Sequence, residues 1–402
     1  MRKRPLPRAL YLTLLLACTA TAQAHEGHMP APEQPTGLTF SFGAGLRDLH
    51  SDAPQPAPRL PGVLEGGSAR ADERGTDLDY AELGIGARFN EQLSAQVRYT
   101  HHGGEDAHGD FENFWLDARL PRWQLRGRAG RQELPLGFEN TVHDHARDFG
   151  LAPMALRAAI NDAWVADGLR LDWSLPRGFS LGAGAWYNRG YPGVEDGRLN
   201  LATLRLGWQN ESWKLETGYA DARADGRALL TLAQGGHTHS VPSCDTVSAD
   251  RLCFDGKVKI WSVAARWQPG GQPWWLGGEF WYKHESGLLD SIYGTPDYRG
   301  ETAGGWLDAG YRIGQDITLI ARIESLRMGN EIRGTNAGLI AAQAGLVDAD
   351  RTPFGLGLVA EWRPHPSLRL LAEWHRANAR GTTNNAVLLR VQILASKTLP
   401  LP

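Results

Sequence analysis

Apolar and polar residues alternate along this chain in about sixteen short stretches between Leu38 and Leu394. Every second residue is apolar from Leu38 to Leu46, from Ala81 to Phe89 and from Phe354 to Trp362. A period of two is typical of β-strands with one apolar and one polar face. Each stretch has about nine to eleven residues, a length that suits a tilted strand crossing a bilayer.

The gaps between these stretches are alternately short and long. Short gaps hold two to six residues, as at 90–92 and 314–316, whereas long gaps run from about seven to about thirty-six. Tight turns at one end, long loops at the other and an even number of strands are typical of outer-membrane barrels. We therefore predict an all-β fold, a transmembrane antiparallel up-and-down β-barrel of about sixteen strands with long extracellular loops, over residues 37–395.

Aromatic residues at lipid-facing positions give this barrel an orientation. One group borders the short gaps: Phe89, Trp123, Phe179, Trp208, Trp213, Trp267, Trp274 and Trp362. A second group borders the long gaps: Tyr99, Tyr187, Tyr219, Tyr282 and Trp374. Aromatic rings favour the two membrane–water interfaces, so outer-membrane lipid is a predicted partner. We place the short turns in the periplasm and the long loops outside the cell.

The N-terminus is typical of an exported protein. Arg2, Lys3 and Arg4 precede a short apolar run, and Ala22-Gln23-Ala24 forms a small-residue cleavage site, so residues 1–24 are a predicted signal peptide. A second option is a lipoprotein box that ends at Cys18. Residues 25–36 are a predicted flexible His/Pro tail. We expect insertion into the Gram-negative outer membrane by the barrel assembly machinery.

The C-terminus departs from common barrels. Residues 396–402 are a predicted tail that ends in Leu399-Pro400-Leu401-Pro402 rather than in an aromatic residue. This leaves open how the assembly machinery recognises the last strand.

Composition narrows the function. The 402 residues carry a formal net charge of −3 and no basic patch interleaved with aromatics, which argues against nucleic-acid binding. Cys244 and Cys253 lie close together in one long gap. Because exported proteins reach an oxidising compartment, we predict a disulfide between them.

The inward-facing positions carry more basic than acidic residues, and one long loop could narrow the lumen. The third outer loop, at about 134–166, is predicted to fold inward with a short helix at 154–160. The candidate selectivity residues are Arg98, Arg119, Arg126, Arg128, Arg170, Arg205 and Arg322. Arginine rings attract anions; alternatively, these arginines pair with acids on adjacent strands. The sequence leaves both interpretations open.

Histidines cluster outside the strands, next to carboxylates. The candidate metal ligands are His143, His145, Asp148, His101, His102 and His108. Further histidines lie in the tail and the fifth loop: His25, His28, His237 and His239. Imidazole with carboxylate suits zinc or copper, although exposed histidines in glycine-rich loops are often only solvated. No cofactor is required by the predicted fold.

One segment carries an enzyme-like motif. Gly178-Phe179-Ser180-Leu181-Gly182 fits Gly-x-Ser-x-Gly, but Ser180 lies inside a regular strand rather than at a strand–turn–helix elbow. We therefore predict that the protein is not an enzyme.

Part of the chain resembles a known group of proteins. The residues that carry the resemblance are Gly130, Arg131, Gly137, Asn140, His143, His145, Asp148, Phe149, Ala152, Pro153, Arg157, Ala158, Asp167, Gly168, Leu171, Trp173 and Pro176. This segment resembles a poorly characterised family of porin-like Gram-negative outer-membrane barrels that are often named as zinc-regulated receptors. The resemblance implies an outer-membrane location and a metal connection through His143 and His145. The chain departs from true TonB-dependent receptors, because it is too short for a plug and twenty-two strands.

These observations favour a porin-like channel, monomeric or homotrimeric, for passive or weakly selective diffusion of small hydrophilic solutes, anions among them. One alternative is an outer-membrane protein that binds zinc or copper, or assists their uptake, through its loop histidines. A third is a plugged barrel that acts as an adhesin or structural protein.

Overall fold

The computed structural model describes residues 36–53, 60–65, 74–103, 108–188, 190–193, 198–230, 244, 247–248, 251–347, 352–379 and 383–400. The predicted signal peptide at 1–24, almost all of the predicted tail at 25–36, and His237 and His239 lie outside these residues. No prediction about those segments is tested by the structure.

Sixteen antiparallel strands form one closed barrel, in which β1 pairs with β16 and every other strand with its neighbours along the chain. The strands are β1 Gly37–Ser51, β2 Gly75–Arg88, β3 Leu93–His102, β4 His108–Leu120, β5 Leu125–Glu133, β6 Val165–Ser174, β7 Phe179–Asn188, β8 Arg198–Gln209, β9 Trp213–Leu230, β10 Arg251–Trp267, β11 Trp274–Asp290, β12 Asp297–Ile313, β13 Ile317–Arg333, β14 Phe354–His365, β15 Leu368–Ala377 and β16 Asn384–Pro400. The predicted fold class is confirmed.

The connections alternate as predicted. Short turns such as 89–92, 210–212 and 314–316 lie at one end, and the longer connections lie at the other. Two helices occur in long loops of the described chain: α1 Met154–Ile160, where the sequence predicts it, and α2 Ala337–Gln343. A disulfide joins Cys244, in the connection after β9, to Cys253 in β10. Within the described residues, no helix is long and apolar enough to cross a membrane.

Two features of the strands differ from the prediction. Strands β9 to β13 have 17 or 18 residues rather than nine to eleven. Strand β16 continues to Pro400, so residues 396–400 are strand rather than tail. These residues pair with β1 at Gly37 to Ser41 and close the barrel. The alternation of apolar and polar residues stops after Leu394, whereas the backbone pairing of β16 continues to Pro400. The sequence pattern therefore places the end of the last strand too early.

The outer surface is apolar between two rings of aromatic side chains. Leu307 is 63% exposed and Leu83 is 61% exposed, both on the outer face. At the short-turn end the ring centroids of Trp213 and Trp267 lie 5.6 Å apart. At the long-loop end Trp261 lies 4.9 Å from Tyr219. A broad apolar surface bounded by aromatic belts fits a bilayer rather than water, so the barrel is of the outer-membrane type.

The lumen is filled more than a wide pore would be. On the side of β9 to β13, α1, α2 and residues 60–65 of the first loop form an apolar core with the inner wall. Leu156 and Ile160 of α1 and Leu64 of the first loop are almost fully buried there. This side of the lumen is therefore packed with apolar side chains rather than filled with water. The cause is the inner face of the long strands, which carries residues such as Ala222 and Ile260 instead of polar ones.

The lipid-facing assignment predicts a strong position dependence for charged substitutions. Leu307 lies on the outer face of β12, midway between the two belts, whereas Leu288 lies on the outer face of β11 beyond Tyr282. We expect Leu307→Arg to destabilise the barrel in lipid vesicles by about 2–4 kcal/mol and Leu288→Arg by about 0–1 kcal/mol. Denaturant titration of both variants in vesicles measures this. Equal costs would contradict the assignment.

Candidate functional site

The loop between β5 and β6, residues 134–164 and called L3 here, enters the lumen. Its two ends are tied together: the Leu134 N–H donates to the Trp164 carbonyl at 2.9 Å. Asn140 reinforces this closure, because its amide donates to the Leu134 carbonyl at 2.9 Å and its oxygen accepts from the Trp164 N–H at 2.8 Å. L3 is therefore a closed, internally bonded loop, as an inward fold requires.

Carboxylates on the opposite barrel wall accept hydrogen bonds from the L3 backbone. Glu279 on β11 accepts from the N–H groups of Phe138 and Glu139 at 2.9 and 2.7 Å. Glu373 on β15 accepts from Gly150 and Leu151 at 2.7 and 3.1 Å.

Glu324 on β13 accepts from the N–H of Met154, the first residue of α1, at 2.7 Å. A carboxylate bonded to the start of a helix satisfies one of the N–H groups that lack a partner within the helix. These three wall residues fix L3 across the lumen from its own strands.

Donors on β15 and β16 hold L3 by its carbonyl groups. Arg369 donates to the carbonyls of Arg147 and His145 at 2.9 and 3.3 Å. The Gln392 amide donates to the same His145 carbonyl at 2.8 Å. Side chains of the wall therefore form hydrogen bonds with both N–H and C=O groups of the L3 backbone. These bonds allow an irregular segment to lie buried inside the barrel.

Six of the seven predicted selectivity arginines form ion pairs along the lumen wall. The pairs are Arg98–Glu82 at 3.3 Å, Arg126–Asp117 at 2.7 Å, Arg128–Asp117 at 3.0 Å, Arg170–Asp172 at 2.7 Å, Arg205 with Asp172 and Glu216 at 3.1 Å each, and Arg322–Asp308 at 2.7 Å. Arg119 is exposed at the lumen mouth and forms none of these pairs. Cross-strand pairing therefore accounts for the position of most of these arginines, and their role in selectivity stays a prediction.

The lumen mouth at the short-turn end is strongly basic. Inward-facing positions next to the short turns carry Arg88, Arg119, Arg126, Lys214, Arg266, Arg312, Arg363 and Arg369. Glu361 lies in the same layer and pairs with Arg363 and with Arg369. Basic side chains outnumber acidic ones here, so this mouth carries a positive potential.

Some of these basic residues lie directly opposite one another on adjacent strands. The register places Arg119 opposite Arg126, Arg128 opposite Arg170, and Lys214 opposite Arg266. Like charges at directly opposite positions destabilise a sheet. Lys214 lies 4.3 Å from the ring centroid of Phe138, and the Arg266 guanidinium lies 4.0 Å from that of Trp275. Contacts with aromatic rings stabilise these two cations without neutralising them.

At the long-loop end, L3 histidines meet glutamates of the wall. His143 Nδ1 lies 3.0 Å from Glu112 Oε2, and His143 Nε2 lies 3.2 Å from Glu133 Oε1. His145 Nε2 lies 3.2 Å from Glu82 Oε2. The two imidazole rings are stacked with centroids 5.0 Å apart. We call these five residues the histidine–glutamate cluster.

Neighbouring residues of the wall fix this cluster in place. His102 Nε2 lies 2.8 Å from Glu112 Oε1, and the Thr100 hydroxyl donates to Glu112 Oε2 at 2.8 Å. The Tyr80 ring stacks on His145 with centroids 3.8 Å apart. Burial lowers the pKa of His143, but its hydrogen bonds to Glu112 and Glu133 outweigh burial and raise the pKa to about 10.

The predicted metal ligands are only partly brought together. His143, His145 and His102 lie in or beside the cluster, whereas His101 follows the alternation of β3 onto the outer face with Ala81. Asp148 interacts instead with Arg369 and Arg266, and burial raises its pKa. The side chain of His108 lies outside the described part of the structure.

The sequence did not single out Glu112 and Glu133 as partners of these histidines. Glu112 lies near the start of β4 and Glu133 is the last residue of β5, and the chain separates them from His143 by ten residues or more. Only the inward fold of L3 brings His143 between them, so no local spacing could have revealed the contact.

A cavity of about 540 Å³ opens beside the cluster. His102, Glu112, Glu133 and His143 line it, together with Asp110, Arg131 and Asp167. Carboxylates therefore predominate in this cavity, in contrast to the basic mouth at the other end of the barrel.

Comparisons with known proteins support the fold. No protein-family model matches the chain, and no curated protein matches it by sequence. Its structure is similar to the trimer form of in-vitro folded OmpT, an outer membrane protein of Vibrio cholerae, with a TM-score of 0.55, 13% identity and coverage of 89% of this chain and 99% of that one. The predicted membership of a zinc-regulated receptor family is not confirmed.

Two further solved structures have similar folds. An anion-selective porin from Comamonas acidovorans matches with a TM-score of 0.54 and 10% identity over 89% of this chain and 99% of that one. Salmonella typhi OmpF in complex with daunomycin matches with a TM-score of 0.53 and 10% identity over 89% and 98%. At these identities the similarity shows the barrel architecture.

Removal of one wall carboxylate should loosen L3. Glu373→Ala leaves the N–H groups of Gly150 and Leu151 without their acceptor, at a cost of about 1–3 kcal/mol. We expect faster hydrogen exchange at residues 148–153, with a smaller effect for Glu373→Gln, which keeps one acceptor oxygen. Glu331→Ala is the control, because Glu331 is exposed and pairs only with Arg333 in the described structure. Unchanged exchange in Glu373→Ala would show that L3 is held by other contacts.

Proposed function

We propose that this protein is a non-catalytic, porin-like channel of the Gram-negative outer membrane that lets small hydrophilic solutes diffuse with a preference for anions. The observation that carries the proposal is the basic lumen mouth with its opposed cation pairs. Arg119 faces Arg126, and Lys214 faces Arg266, across adjacent strands. Such pairs reduce the stability of the sheet. Arg126 is compensated by its ion pair with Asp117, so Lys214 and Arg266, which contact aromatic rings instead, support the proposal most strongly.

The arrangement of the lumen supports selective passage. Ion pairs such as Arg128–Asp117 and Arg205–Glu216 hold the wall side chains in fixed positions. L3 occupies part of the lumen cross-section, so on this proposal a solute passes close to the cations of the wall. A narrow path lined by one sign of charge raises the local concentration of the opposite ion.

The structural neighbours support this proposal at the level of the fold. They include a protein described as an anion-selective porin and an outer membrane protein in a trimer form. We propose the same membrane location, assembly by the barrel assembly machinery and a homotrimeric state for this chain.

Neutralisation of one opposed pair should lower the anion preference. In Lys214→Gln with Arg266→Gln, we expect the reversal potential in a KCl gradient to move toward zero, because two positive charges leave the mouth. Planar-bilayer recordings of the wild type and the variant measure this shift. The matched control is Arg327→Gln, which removes an exposed cation from the outer face of β13.

Three outcomes would overturn the proposal. They are an anion preference that survives the double substitution, an equal shift in the control, and a wild-type barrel that carries no current. The last result would instead favour a plugged barrel with a structural or adhesive role.

A further inference from the structure

The histidine–glutamate cluster has the composition and spacing of a metal site. One ligand atom each from Glu82, His143 and His145 lie within 4.8 Å of one another. Zinc takes imidazole nitrogen and carboxylate oxygen at about 2.0–2.2 Å, so the ligands of one ion lie roughly 3.5 Å apart. Small side-chain rotations would therefore bring all three atoms onto one ion.

Ion pairs hold two of the candidate ligand atoms in this cluster. Glu82 is only 5% exposed; its Oε2 is held by ion-pair contacts to His145 and Arg98 at 3.2 and 3.3 Å, and His143 Nε2 by one to Glu133 at 3.2 Å. A cation placed among the three ligand atoms would exchange these ion-pair contacts for direct bonds to the metal.

The surroundings match those of a metal-bound histidine. Such a histidine commonly donates its second ring N–H to a carboxylate, which fixes the ring and raises its affinity for the metal. Glu112 lies in this position at 3.0 Å from His143 Nδ1, and stacking on Tyr80 fixes the ring of His145. Glu133 Oε1, 3.2 Å from His143 Nε2, is placed to supply a fourth ligand.

The charge of the cluster and its access also fit a cation. Glu82, Glu112 and Glu133 contribute three negative charges, and Arg98, 3.3 Å from Glu82, contributes one positive charge. A metal ion bound to His143 Nε2 takes the place of the proton that this nitrogen shares with Glu133; with that proton released, two negative charges are left, which a divalent ion neutralises. The acidic cavity of about 540 Å³ reaches Glu133 and His143 from the long-loop side.

We propose that Glu82, His143 and His145, with Glu133, bind a divalent transition-metal ion that joins L3 to the barrel wall. Mixed imidazole and carboxylate ligands suit zinc and its first-row neighbours rather than calcium or magnesium. This site is separate from the basic mouth. Metal binding at the site and anion diffusion through the mouth do not depend on each other.

Zinc titration of the refolded full-length barrel against a chromophoric chelator tests the proposal. We expect one tight zinc ion per chain in the wild type and at least a tenfold loss of affinity in Glu82→Gln and in His145→Ala. Glu112→Gln should weaken binding by about tenfold through loss of its bond to His143. The matched control is His284→Ala, because His284 lies on the outer face of β11 and pairs with Glu301.

X-ray absorption of the zinc-loaded barrel gives a second measurement that does not depend on affinity. We expect nitrogen and oxygen ligands with imidazole scattering in the wild type, and weaker imidazole scattering in His145→Ala. Heat-dependent gel mobility identifies variants that fail to fold, and Glu82→Gln then serves as the mildest test. Absence of tight zinc binding in the wild type, or the same affinity in every folded variant, would overturn the proposal. Neither result affects the test of anion conduction, because the planar-bilayer recordings are made with a metal chelator in the buffer.

Discussion

The structure depends on how the barrel satisfies the backbone of a loop that lies inside it. An irregular segment buried in a lumen has N–H and C=O groups that neither helix nor sheet can pair. Here the wall supplies the partners, since Glu279 and Glu373 accept from L3 amides and Arg369 donates to L3 carbonyls. Without these contacts the desolvation cost would favour an L3 outside the barrel, and neither the narrowed lumen nor the cluster would form.

L3 also divides the lumen by polarity. Its helix α1 packs on the apolar inner face of the long strands, where Leu156 and Ile160 are buried. Its earlier part, with His143 and His145, faces glutamates at the long-loop end. The basic mouth lies at the other end. A preference for anions and a site for a cation are therefore compatible, because the two lie at opposite ends of the barrel.

The period-two pattern predicted the strands and both aromatic belts, the alternating short and long gaps predicted the closed up-and-down topology, and an apolar stretch in the third outer loop predicted α1, because each of these signals is local in the sequence. It did not predict contacts that depend on register between strands. Lys214 and Arg266 lie 52 positions apart in the chain, and only strand pairing places them opposite each other. Glu133 and His143 meet because L3 turns inward. The apolar lining of β9 to β13 was also missed, since a porin-like lumen is expected to be polar.

His145 contacts both the histidine–glutamate cluster and the residues that border the basic mouth. Its side chain belongs to the histidine–glutamate cluster. Its backbone carbonyl accepts hydrogen bonds from the side chains of Gln392 and Arg369. Arg369 in turn pairs with Glu361 in the basic layer of the mouth. A displacement of L3 at the cluster would therefore alter the hydrogen bonds of Arg369, and with them the charge arrangement that a solute meets. Two sites that share one segment can influence each other only if that segment has a second arrangement. The many hydrogen bonds between L3 and the wall favour a single arrangement of L3.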